Sequence, residues 1–447
     1  MSELPVVIVG AGFSGTLLAI NLLRQGGRII LVERSDERLA RGLAFGTHRP
    51  EHLLNVRASN MSAFPDDKSH FLRWIGFSTK EQANRFVPRL AYGQYLSEQL
   101  LEALAASGGR AELRTGEAVD ATFDGEGVTI HLADGDVING RALVLAQGNF
   151  PPQPIPELAH LPPSILFDDP WMPGATDAGR VHNILLLGTG LTAVDAVLSL
   201  QGKGFRGRIT ALSRRGLRPR SHSASGPVPT PVSRPQVSGS QLLRAIRQRA
   251  GEVEWRQAID ELRPYVQHLW RSHSSAAQDR FLRHARAYWD VHRHRLAPAV
   301  DERLRMLESS GVLDFAGGRI VEASEQDGGA LVTWRPRGSD IVQTSLFDRV
   351  VNCTGPQGDL RRVADPLVQS LLGAGRLRPD VHRLGLDVDH LGRVRDSDGE
   401  AQKRLFAVGP MTKGEAWEIV AVPDIRRQVW DLARYLTDAH WVGGEGL

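Results

Sequence analysis

The sequence predicts an α/β fold with two parallel β-sheets, each built around its own glycine-rich turn. Residues 6–23 read VVIVGAGFSGTLLAINLL and residues 184–200 read ILLLGTGLTAVDAVLSL, so a short apolar strand, a glycine turn and a helix occur twice. A further apolar strand follows each helix, in RIILVER and in GRITALSRRG, which completes two β-α-β units. At 447 residues the chain is also too long for one ordinary hydrophobic core. We therefore expect two domains.

The overall charge and hydropathy narrow the classes of partner. Lys and Arg number 54 against 51 Asp and Glu, and this net charge of +3 is too small to indicate nucleic acid. No apolar run approaches the ~18 residues that span a bilayer. The first strand begins within five residues of the N-terminus, which leaves no room for a signal peptide. We expect a cytoplasmic protein with no membrane and no nucleic-acid partner, and we leave its oligomeric state open.

The cysteine and histidine content limits the metal and thiol chemistry. Cys353 is the single cysteine, so the chain forms no internal disulfide, no CxxC pair and no thiolate metal cluster. It lies in an apolar strand, and we expect it to be buried and inert. The stretch HRHR at residues 292–295 has no carboxylate or cysteine at ligand spacing, so we expect no metal site.

The other segments predict the remaining loops, helices and strands. Residues 42–67 are rich in turn formers and predict an ordered loop, residues 90–107 a helix, and residues 127–149 a hairpin followed by an apolar strand. The proline-rich residues 149–164 indicate a linker. Residues 217–240 predict a long loop and residues 241–310 a helical region, after which three strands and a final strand, loop and helix complete the chain.

The first glycine turn predicts a dinucleotide site. Gly10, Gly12 and Gly15 form G-x-G-x-x-G between a strand and a helix. The first glycine allows the tight turn, the second lets a pyrophosphate approach the backbone, and the third lets helix and strand pack closely. The phosphates would lie at the helix N-terminus. Glu33 ends the next strand, 18 residues after Gly15, and its carboxylate would accept hydrogen bonds from ribose hydroxyls while repelling a 2′-phosphate.

The second glycine turn differs at the end of the strand that follows it. Gly188 and Gly190 repeat the plan, with alanine in the third position, which the pattern permits. The following strand ends in Arg214 and Arg215 instead of an acid. Arginine side chains at this position can pair with a 2′-phosphate. The alternative is that both arginines are solvated charges of a loop and bind no phosphate. Two unlike turns indicate two unlike cofactors, a bound FAD at the first turn and a visiting NADPH, rather than NADH, at the second.

In this order the elements resemble the two-dinucleotide-binding flavoproteins, which include disulfide reductases and flavin-containing monooxygenases. The segments ALVLAQGN, RVVNCTGP and RLFAVGPMTKGEAWEIVAVPDIRRQ carry this resemblance. GLAFGTHRPEHLLNVRASNMSAFPDD, YWDVHRHRLAP and WEIVAVPDIRRQ are similar to a family of bacterial FAD/NAD(P)-binding proteins, distantly similar to N-hydroxylating and class B flavin monooxygenases. The resemblance implies an α/β fold of two Rossmann-like dinucleotide-binding domains. The FAD domain would be discontinuous, at residues 1–165 and 345–447, with the NAD(P)H domain inserted at residues 178–344 and a helical insertion at about 240–310.

The resemblance also assigns cofactor contacts. These residues belong to the two turns, to the strands beside them and to the segments that close the FAD domain, where Gly409 would approach the ribityl or pyrophosphate region. They are Gly10, Gly12, Phe13, Ser14, Gly15, Glu33, Arg34, Asn55, Val119, Gly148, Gly188, Gly190, Leu191, Thr192, Arg214, Arg215, Gly355, Gly409 and Pro410.

The stretch HLLNV supplies the candidate catalytic residues. In such a fold this loop would face the flavin, and the Asn55 side chain could hydrogen-bond near the flavin or the nicotinamide. His52 is the second candidate. The alternatives are an asparagine that stabilises a turn and a histidine that is simply packed. The tryptophans Trp255, Trp270 and Trp289 predict helix core rather than a platform for bases.

Three functions stay open at the level of sequence. The first is a monooxygenase that reduces FAD with NADPH and transfers oxygen from a flavin–peroxide adduct to a small nucleophile, such as an amine or amino acid. The second is an NAD(P)H:acceptor reductase or oxidase, and the third is a non-catalytic redox sensor. The missing cysteine pair excludes dithiol chemistry and two intact turns disfavour the sensor, so the first function is preferred, with O2 and a small molecule as partners. The basic, aromatic residues 240–310 suggest an anionic substrate.

Overall fold

The computed structural model describes residues 4–224 and 233–439. Its strands in chain order are β1 (Val6–Val9), β2 (Ile29–Glu33), β3 (Ala111–Thr115), β4 (Ala118–Phe123), β5 (Val128–Leu132), β6 (Val137–Gly140), β7 (Ala142–Leu145), β8 (Leu166–Phe167), β9 (Asn183–Leu187), β10 (Arg208–Ser213), β11 (Leu313–Gln326), β12 (Gly329–Pro336), β13 (Gln343–Phe347), β14 (Arg349–Asn352), β15 (Arg393–Arg395) and β16 (Ala401–Ala407).

The helices lie between and after these strands. They are α1 (Phe13–Arg24), α2 (Gly42–Phe45), α3 (His70–Trp74), α4 (Lys80–Ala83), α5 (Arg89–Ala105), α6 (Leu191–Gly202), α7 (Gly239–Glu252), α8 (Trp255–Asp260), α9 (Val266–Ser272), α10 (Ser275–Arg280), α11 (Arg286–Arg293), α12 (Pro298–Ser309), α13 (Pro366–Gly373) and α14 (Val422–Leu436). A π-helical turn, Phe281–Ala285, joins α10 to α11, and a 3₁₀ turn, Gly409–Thr412, follows β16.

The first sheet is assembled from both ends of the chain. Its strand order is β15-β16-β7-β1-β2-β3, and all neighbours are parallel except β15 and β16. Buried side chains of α1, α5 and α14 pack on one face. The antiparallel sheet β4-β5-β6 and α13 cover the other face. Because both faces are covered, the strand β1 is apolar and buried along its whole length.

The second sheet is inserted between β7 and β15. Its order is β13-β12-β11-β10-β9-β14-β8, with parallel pairing from β11 to β8 and an antiparallel extension through β12 and β13. The expected pair of Rossmann-like sheets, the first one discontinuous, is therefore present. The predicted boundary at residue 345 needs correction, because β14 lies within the second sheet and pairs with β9 and β8 on its two sides. The apolar run of β14 is followed by a glycine turn, which made it look like a closing segment of the first domain.

The helical region is as the sequence predicts. Helices α7 to α11 occupy most of residues 239–293, and α12 packs on the second sheet through Val300 and Leu304. A small apolar cluster joins this region to the C-terminal segment, and its buried members include Leu262, Trp270 and Trp417. Residues 225–232 of the long predicted loop lie outside the described residues.

Candidate functional site

The first glycine turn is set by close packing against the neighbouring strand. Gly10 has φ +100°, and a Cβ there would lie 2.6 Å from the carbonyl oxygen of Ala146, just after β7. A Cβ at Gly15 would overlap the carbonyl oxygen of Gly10. Gly12 is the N-cap of α1 and provides no side-chain cap, and the first turn of α1 carries no acidic residue. The first N–H groups of α1 are thus left to bind an anion.

Helix α2 covers this turn from the side. A Cβ at Gly12 would lie 3.5 Å from the Cα of Gly42, the first residue of α2. Phe13 packs edge-on against Phe45 of the same helix, with ring centroids 5.4 Å apart. The close approach of the two segments depends on Gly42, which has φ +54° and where a Cβ would lie 3.1 Å from the Cα of Gly12.

Glu33 is fixed against the turn by two backbone donors. Its carboxylate is buried and accepts hydrogen bonds from the N–H of Ala11 at 2.8 Å and the N–H of Ser35 at 3.3 Å. Each carboxylate oxygen has two lone pairs, so acceptor capacity remains for ribose hydroxyls. The neighbouring Arg34 is exposed, and its guanidinium lies 3.6 Å from the carboxylate of Glu117. This arrangement fits the adenosine half of FAD.

The C-terminal segment closes onto the same turn. Gly409 has φ +75°, and a Cβ there would overlap the Oγ of Ser14, in the first turn of α1. Its N–H donates to Oε1 of Gln428 at 2.7 Å, and Thr412 Oγ1 donates to its carbonyl at 2.9 Å. Gln428 in turn donates to Thr412 Oγ1 at 2.9 Å. The structure thus brings Gly409 and Pro410 to the N-terminus of α1.

Two of these functional residues were missed by sequence reasoning. Thr412 and Gln428 hold the turn Gly409–Thr412, yet they are 16 residues apart and belong to no motif. No local pattern could have identified them. Of the other predicted contacts, Val119 lies half-buried in β4, and Gly148 follows β7 with φ +76° and no atom within 4 Å of a Cβ.

The second glycine turn repeats the first in its geometry. Gly188 has φ +117°, and a Cβ there would overlap the carbonyl oxygen of Cys353, just after β14. Gly10 has the same relation to the carbonyl oxygen of Ala146, just after β7. Gly190 is the uncapped N-cap of α6, whose first turn has no acidic residue. A Cβ at Gly190 would meet nothing within 4 Å. Packing therefore does not require glycine here, and the open space fits a phosphate group beside Leu191 and Thr192.

The arginine pair stands at the end of β10, beside this turn. Thr189 bonds Ser213 through their hydroxyl groups at 2.9 Å, which ties the glycine turn to the strand end. Arg214 follows directly and is exposed. The guanidinium of Arg215 donates to the carbonyl of Arg283 at 3.3 Å. The strand end therefore presents cationic groups where a 2′-phosphate would lie. Gly355, after β14, has φ +96° and no atom within 4 Å of a Cβ.

His52 lies between the two sheets rather than in an open site. Its ring is 1% exposed, Nδ1 is 2.9 Å from Thr47 Oγ1, and Nε2 is 3.0 Å from Ser199 Oγ in α6. Burial lowers the pKa of His52, so the ring is neutral at pH 7. A buried ion pair lies beside it, in which Arg89 of α5 contacts Asp195 of α6 at 2.8 Å.

Asn55 also lies beside α6. It lines a small cavity of about 10 Å³ together with Leu53, Leu191 and Val300. Its carbonyl accepts a hydrogen bond from His222 Nε2 at 2.9 Å. The structure thus brings Asn55 and His52 to the helix of the second turn and not to the turn at Gly409. The flavin contact that the sequence predicts for Asn55 stays a prediction.

Cys353 is buried, as the sequence predicts. Burial is the largest cause that raises the pKa of its thiol, and Asp195 and Asp169 raise it further. A thiol in this environment stays protonated and unreactive at neutral pH.

Comparisons with known proteins agree with the two-turn architecture. Residues 7–150 match a family model described as FAD-NAD(P)-binding. An uncharacterized protein of Mycobacterium tuberculosis is 23% identical over 492 residues, covering 92% of this chain and 89% of that protein. The rifampicin monooxygenase of Streptomyces venezuelae is 31% identical over 153 residues, covering 32% of this chain and 31% of that enzyme. The expected resemblance and the expected cofactors, FAD and NAD(P), are thereby confirmed.

Solved structures of three enzymes share the fold over nearly the whole chain. The L-lysine 6-monooxygenase of Pseudomonas syringae has a TM-score of 0.68 at 17% identity, covering 98% of this chain and 100% of that one. The ornithine hydroxylase of Pseudomonas aeruginosa has a TM-score of 0.66 at 15% identity, covering 98% of this chain and 99% of that one. The bacillithiol disulfide reductase of Bacillus cereus has a TM-score of 0.58 at 14% identity, covering 98% of this chain and 100% of that one. At these identities the likeness shows the fold alone. No helix in the described ranges is both long and apolar enough to cross a membrane.

Proposed function

We propose that this chain, whose residues 7–150 are an FAD-NAD(P)-binding domain, is an NADPH-consuming monooxygenase that oxygenates a small nucleophile such as an amine. FAD would supply the redox chemistry, because it accepts a hydride from NADPH and passes electrons to O2. The observation that carries the proposal is the pair of uncapped helices, α1 and α6, each behind a glycine turn. A chain with two such turns can hold one dinucleotide and admit a second.

The residues have distinct proposed roles at the first turn. The N-terminal N–H groups of α1 would bind the FAD pyrophosphate, and Glu33 would accept the ribose hydroxyls. Gly409, held by Gln428, would approach the ribityl or pyrophosphate region from the other side. These groups bind and orient, and none of them moves a proton.

The residues of the second turn would receive the nicotinamide cofactor. The α6 N-terminus would bind its pyrophosphate, and Arg214 and Arg215 would pair with the 2′-phosphate, which favours NADPH over NADH. We propose that His52 is a positioning residue, because its hydrogen bond to Ser199 holds α6 against the loop that carries Asn55. Asn55 remains the candidate that contacts a cofactor.

The buried thiol supports oxygen as the electron acceptor over a disulfide. Thiol–disulfide exchange needs a thiolate with access to its partner. Cys353 is the only cysteine in the sequence, and it is buried with a raised pKa. The fold is shared with a disulfide reductase, but this chain has no accessible thiol for that reaction.

A rapid-mixing experiment tests the proposal. The FAD-loaded protein is reduced with NADPH without oxygen and then mixed with O2, alone and with a panel of amines and amino acids. We expect an absorption band that differs from those of oxidised and reduced flavin, lasts for seconds, and decays with formation of an oxygenated product. Immediate return of the oxidised spectrum with stoichiometric peroxide, with every substrate, would identify a reductase or oxidase instead. Failure of NADPH to reduce the flavin would favour a redox sensor.

A further inference from the structure

The C-terminal segment carries an indole ring with one covered face. Trp417 is 3% exposed and lies five residues after the turn Gly409–Thr412. Trp270 of α9 stacks on it with ring centroids 4.8 Å apart and planes inclined by 24°. Phe281 meets it edge-on at 5.4 Å. The helical region therefore contacts Trp417 by one stacked ring and one edge-on ring.

Two cations also lie over the ring of Trp417. The Nζ of Lys413 is 4.9 Å from the centroid of Trp417. The guanidinium carbon of Arg286, from α11, is 5.7 Å from that centroid. Each contact is a favourable cation–π interaction. The two like charges nevertheless repel each other across a partly desolvated space.

The carboxylates near these cations are already engaged. Glu418 accepts from Trp289 Nε1 at 2.7 Å and from Arg293 Nε at 2.8 Å. Asp290 lies 3.4 Å from Arg286. Within residues 4–224 and 233–439, the ammonium group of Lys413 makes no hydrogen bond and no ion pair, and it lies over the ring of Trp417. Lys413 is half-buried, and its ammonium group can therefore donate to an added acceptor.

The charges around Lys413 leave one cation in surplus. The charged groups that act on it are Arg286, Asp290 and Glu418. Glu418 also binds Arg293, and His294 follows directly after α11. Burial lowers the pKa of His294 to about 3, so that ring is neutral. Burial and then Arg286 lower the pKa of Lys413 to about 8, against the opposing effect of Asp290 and Glu418. Three cations thus face two carboxylates.

We propose that Lys413 and Arg286, which both lie over the ring of Trp417, bind an anionic group of the substrate, either a carboxylate or a phosphate. This inference rests on the proposed function, since it treats the place beside the turn Gly409–Thr412 as part of the substrate site. An oxyanion between the two cations accepts charge-assisted hydrogen bonds from both and removes their repulsion. The planar face of Trp417 and the fork of Arg286 fix its orientation.

Direct binding of small anions tests the proposal on the FAD-loaded protein. Acetate and inorganic phosphate are titrated separately by calorimetry at constant ionic strength and pH 7. We expect one of them to bind, and Lys413→Met to weaken that binding about tenfold, because a charge-assisted hydrogen bond is lost while the stem still covers Trp417. Lys403→Met, on the exposed side of β16, is the matched control and should bind as the wild type does.

The pH dependence separates a charged contact from a structural one. Wild-type affinity should fall above pH 8 as Lys413 loses its proton, since its pKa is about 8. Lys413→Arg should retain the affinity at pH 7 and keep it to pH 9.5, because guanidinium stays charged. A merely structural lysine would give no such difference between the two proteins.

The outcomes distinguish this inference from the proposed function. Binding of acetate alone or of phosphate alone supports the site and shows whether it takes a carboxylate or a phosphate. No binding of either at millimolar concentrations, or equal affinity in Lys413→Met, overturns it. A tenfold loss of FAD or NADPH affinity in that variant also overturns it, by placing the lysine at a cofactor. Flavin reduction by NADPH is followed in the same samples. If NADPH does not reduce the flavin, the proposed function fails, but the anion-binding result can still be interpreted.

Discussion

At the scale of one residue, backbone hydrogen bonds fix the carboxylate of Glu33 beside the first glycine turn. Its carboxylate accepts hydrogen bonds from the N–H groups of Ala11, in the turn after β1, and of Ser35, just after β2. The same hydrogen bonds that fix the turn therefore aim the acceptor that would meet the ribose. We therefore propose that position 33 both stabilises the turn and binds the ribose.

Replacing Glu33 with alanine should weaken the retention of FAD. The change removes the ribose acceptor and leaves the Ala11 N–H without its partner, a loss of about 1.5–3 kcal/mol for a hydrogen bond to a charged group. We expect the ratio of flavin to protein absorbance after gel filtration to fall well below that of the wild type. Glu37→Ala, at an exposed position of the next turn, is the control. Equal flavin content in both variants would contradict the role of Glu33.

Replacing Arg214 with alanine should change the preference between the two nicotinamide cofactors. An exposed arginine next to the second glycine turn would contribute one charged pair to the 2′-phosphate. We expect KM for NADPH to rise about tenfold, while KM for NADH stays unchanged. The comparison variant is Arg206→Ala, which is exposed and lies before β10. A parallel rise for both cofactors would refute the assignment.

Several residues of the site could not be predicted because their partners are distant in sequence. Gln428 reaches Gly409 from the second turn of α14, and Trp417 stacks on Trp270, which is 147 residues away in sequence. His52 was a candidate for catalysis because its loop would face the flavin in the fold that the sequence resembles, yet its partner Ser199 is 147 residues away. Local patterns carry no information about such contacts.

At the scale of elements, the two glycine turns show what the sequence predicts well. The apolar strand, the turn and the helix are adjacent in sequence, so their spacing alone predicts both β-α-β units and their geometry. The boundary at β14 was missed because two apolar strands, β14 and β16, are each followed by a glycine. Which of them joins which sheet depends on pairing with β9 and β7, respectively.

The two glycines of the second turn should respond differently to alanine. Gly188→Ala forces a Cβ against Cys353 at φ +117° and should lower the thermal midpoint, with a loss of about 1–3 kcal/mol from the backbone strain alone. Gly190 has φ −82° and open space around it, so Gly190→Ala should unfold at the wild-type temperature. That variant should instead bind NADPH at least tenfold more weakly, since the methyl group occupies the phosphate position.

Calorimetry and NADPH titration of both variants check this pair. A large fall in the thermal midpoint of Gly190→Ala would mean that glycine is needed there for packing. Unchanged NADPH affinity in that variant would mean that the open space beside α6 does not receive the cofactor.

At the scale of the whole molecule, neutral histidines lie where the two sheets meet. His52 contacts α6, and His222, from the loop after β10, contacts the carbonyl of Asn55. Burial lowers the pKa of His52, and it lowers the pKa of His222 to about 4. In the unfolded chain both side chains take up a proton near pH 6.5.

Stability should therefore fall as the pH decreases from about 6.5 to 4. In that range the unfolded state binds more protons than the folded state, so acidification favours unfolding. His222→Gln keeps a side-chain donor and cannot be protonated, and it should show a flatter dependence of the thermal midpoint on pH. His160→Gln, whose ring is exposed near Ala323, is the control. Identical slopes for wild type and His222→Gln would contradict the prediction.

The discontinuity of the first sheet constrains the order in which the chain can assemble. Strand β7 ends at Leu145, but its neighbour β16 begins at Ala401. During synthesis the edge of β7 stays unpaired until the whole inserted domain has emerged, whereas the parallel core of the second sheet comes from a continuous stretch. We expect the inserted domain to become protease-resistant first in nascent chains stalled at increasing lengths. The C-terminal strands would then complete the first sheet and the FAD cradle in a single late step.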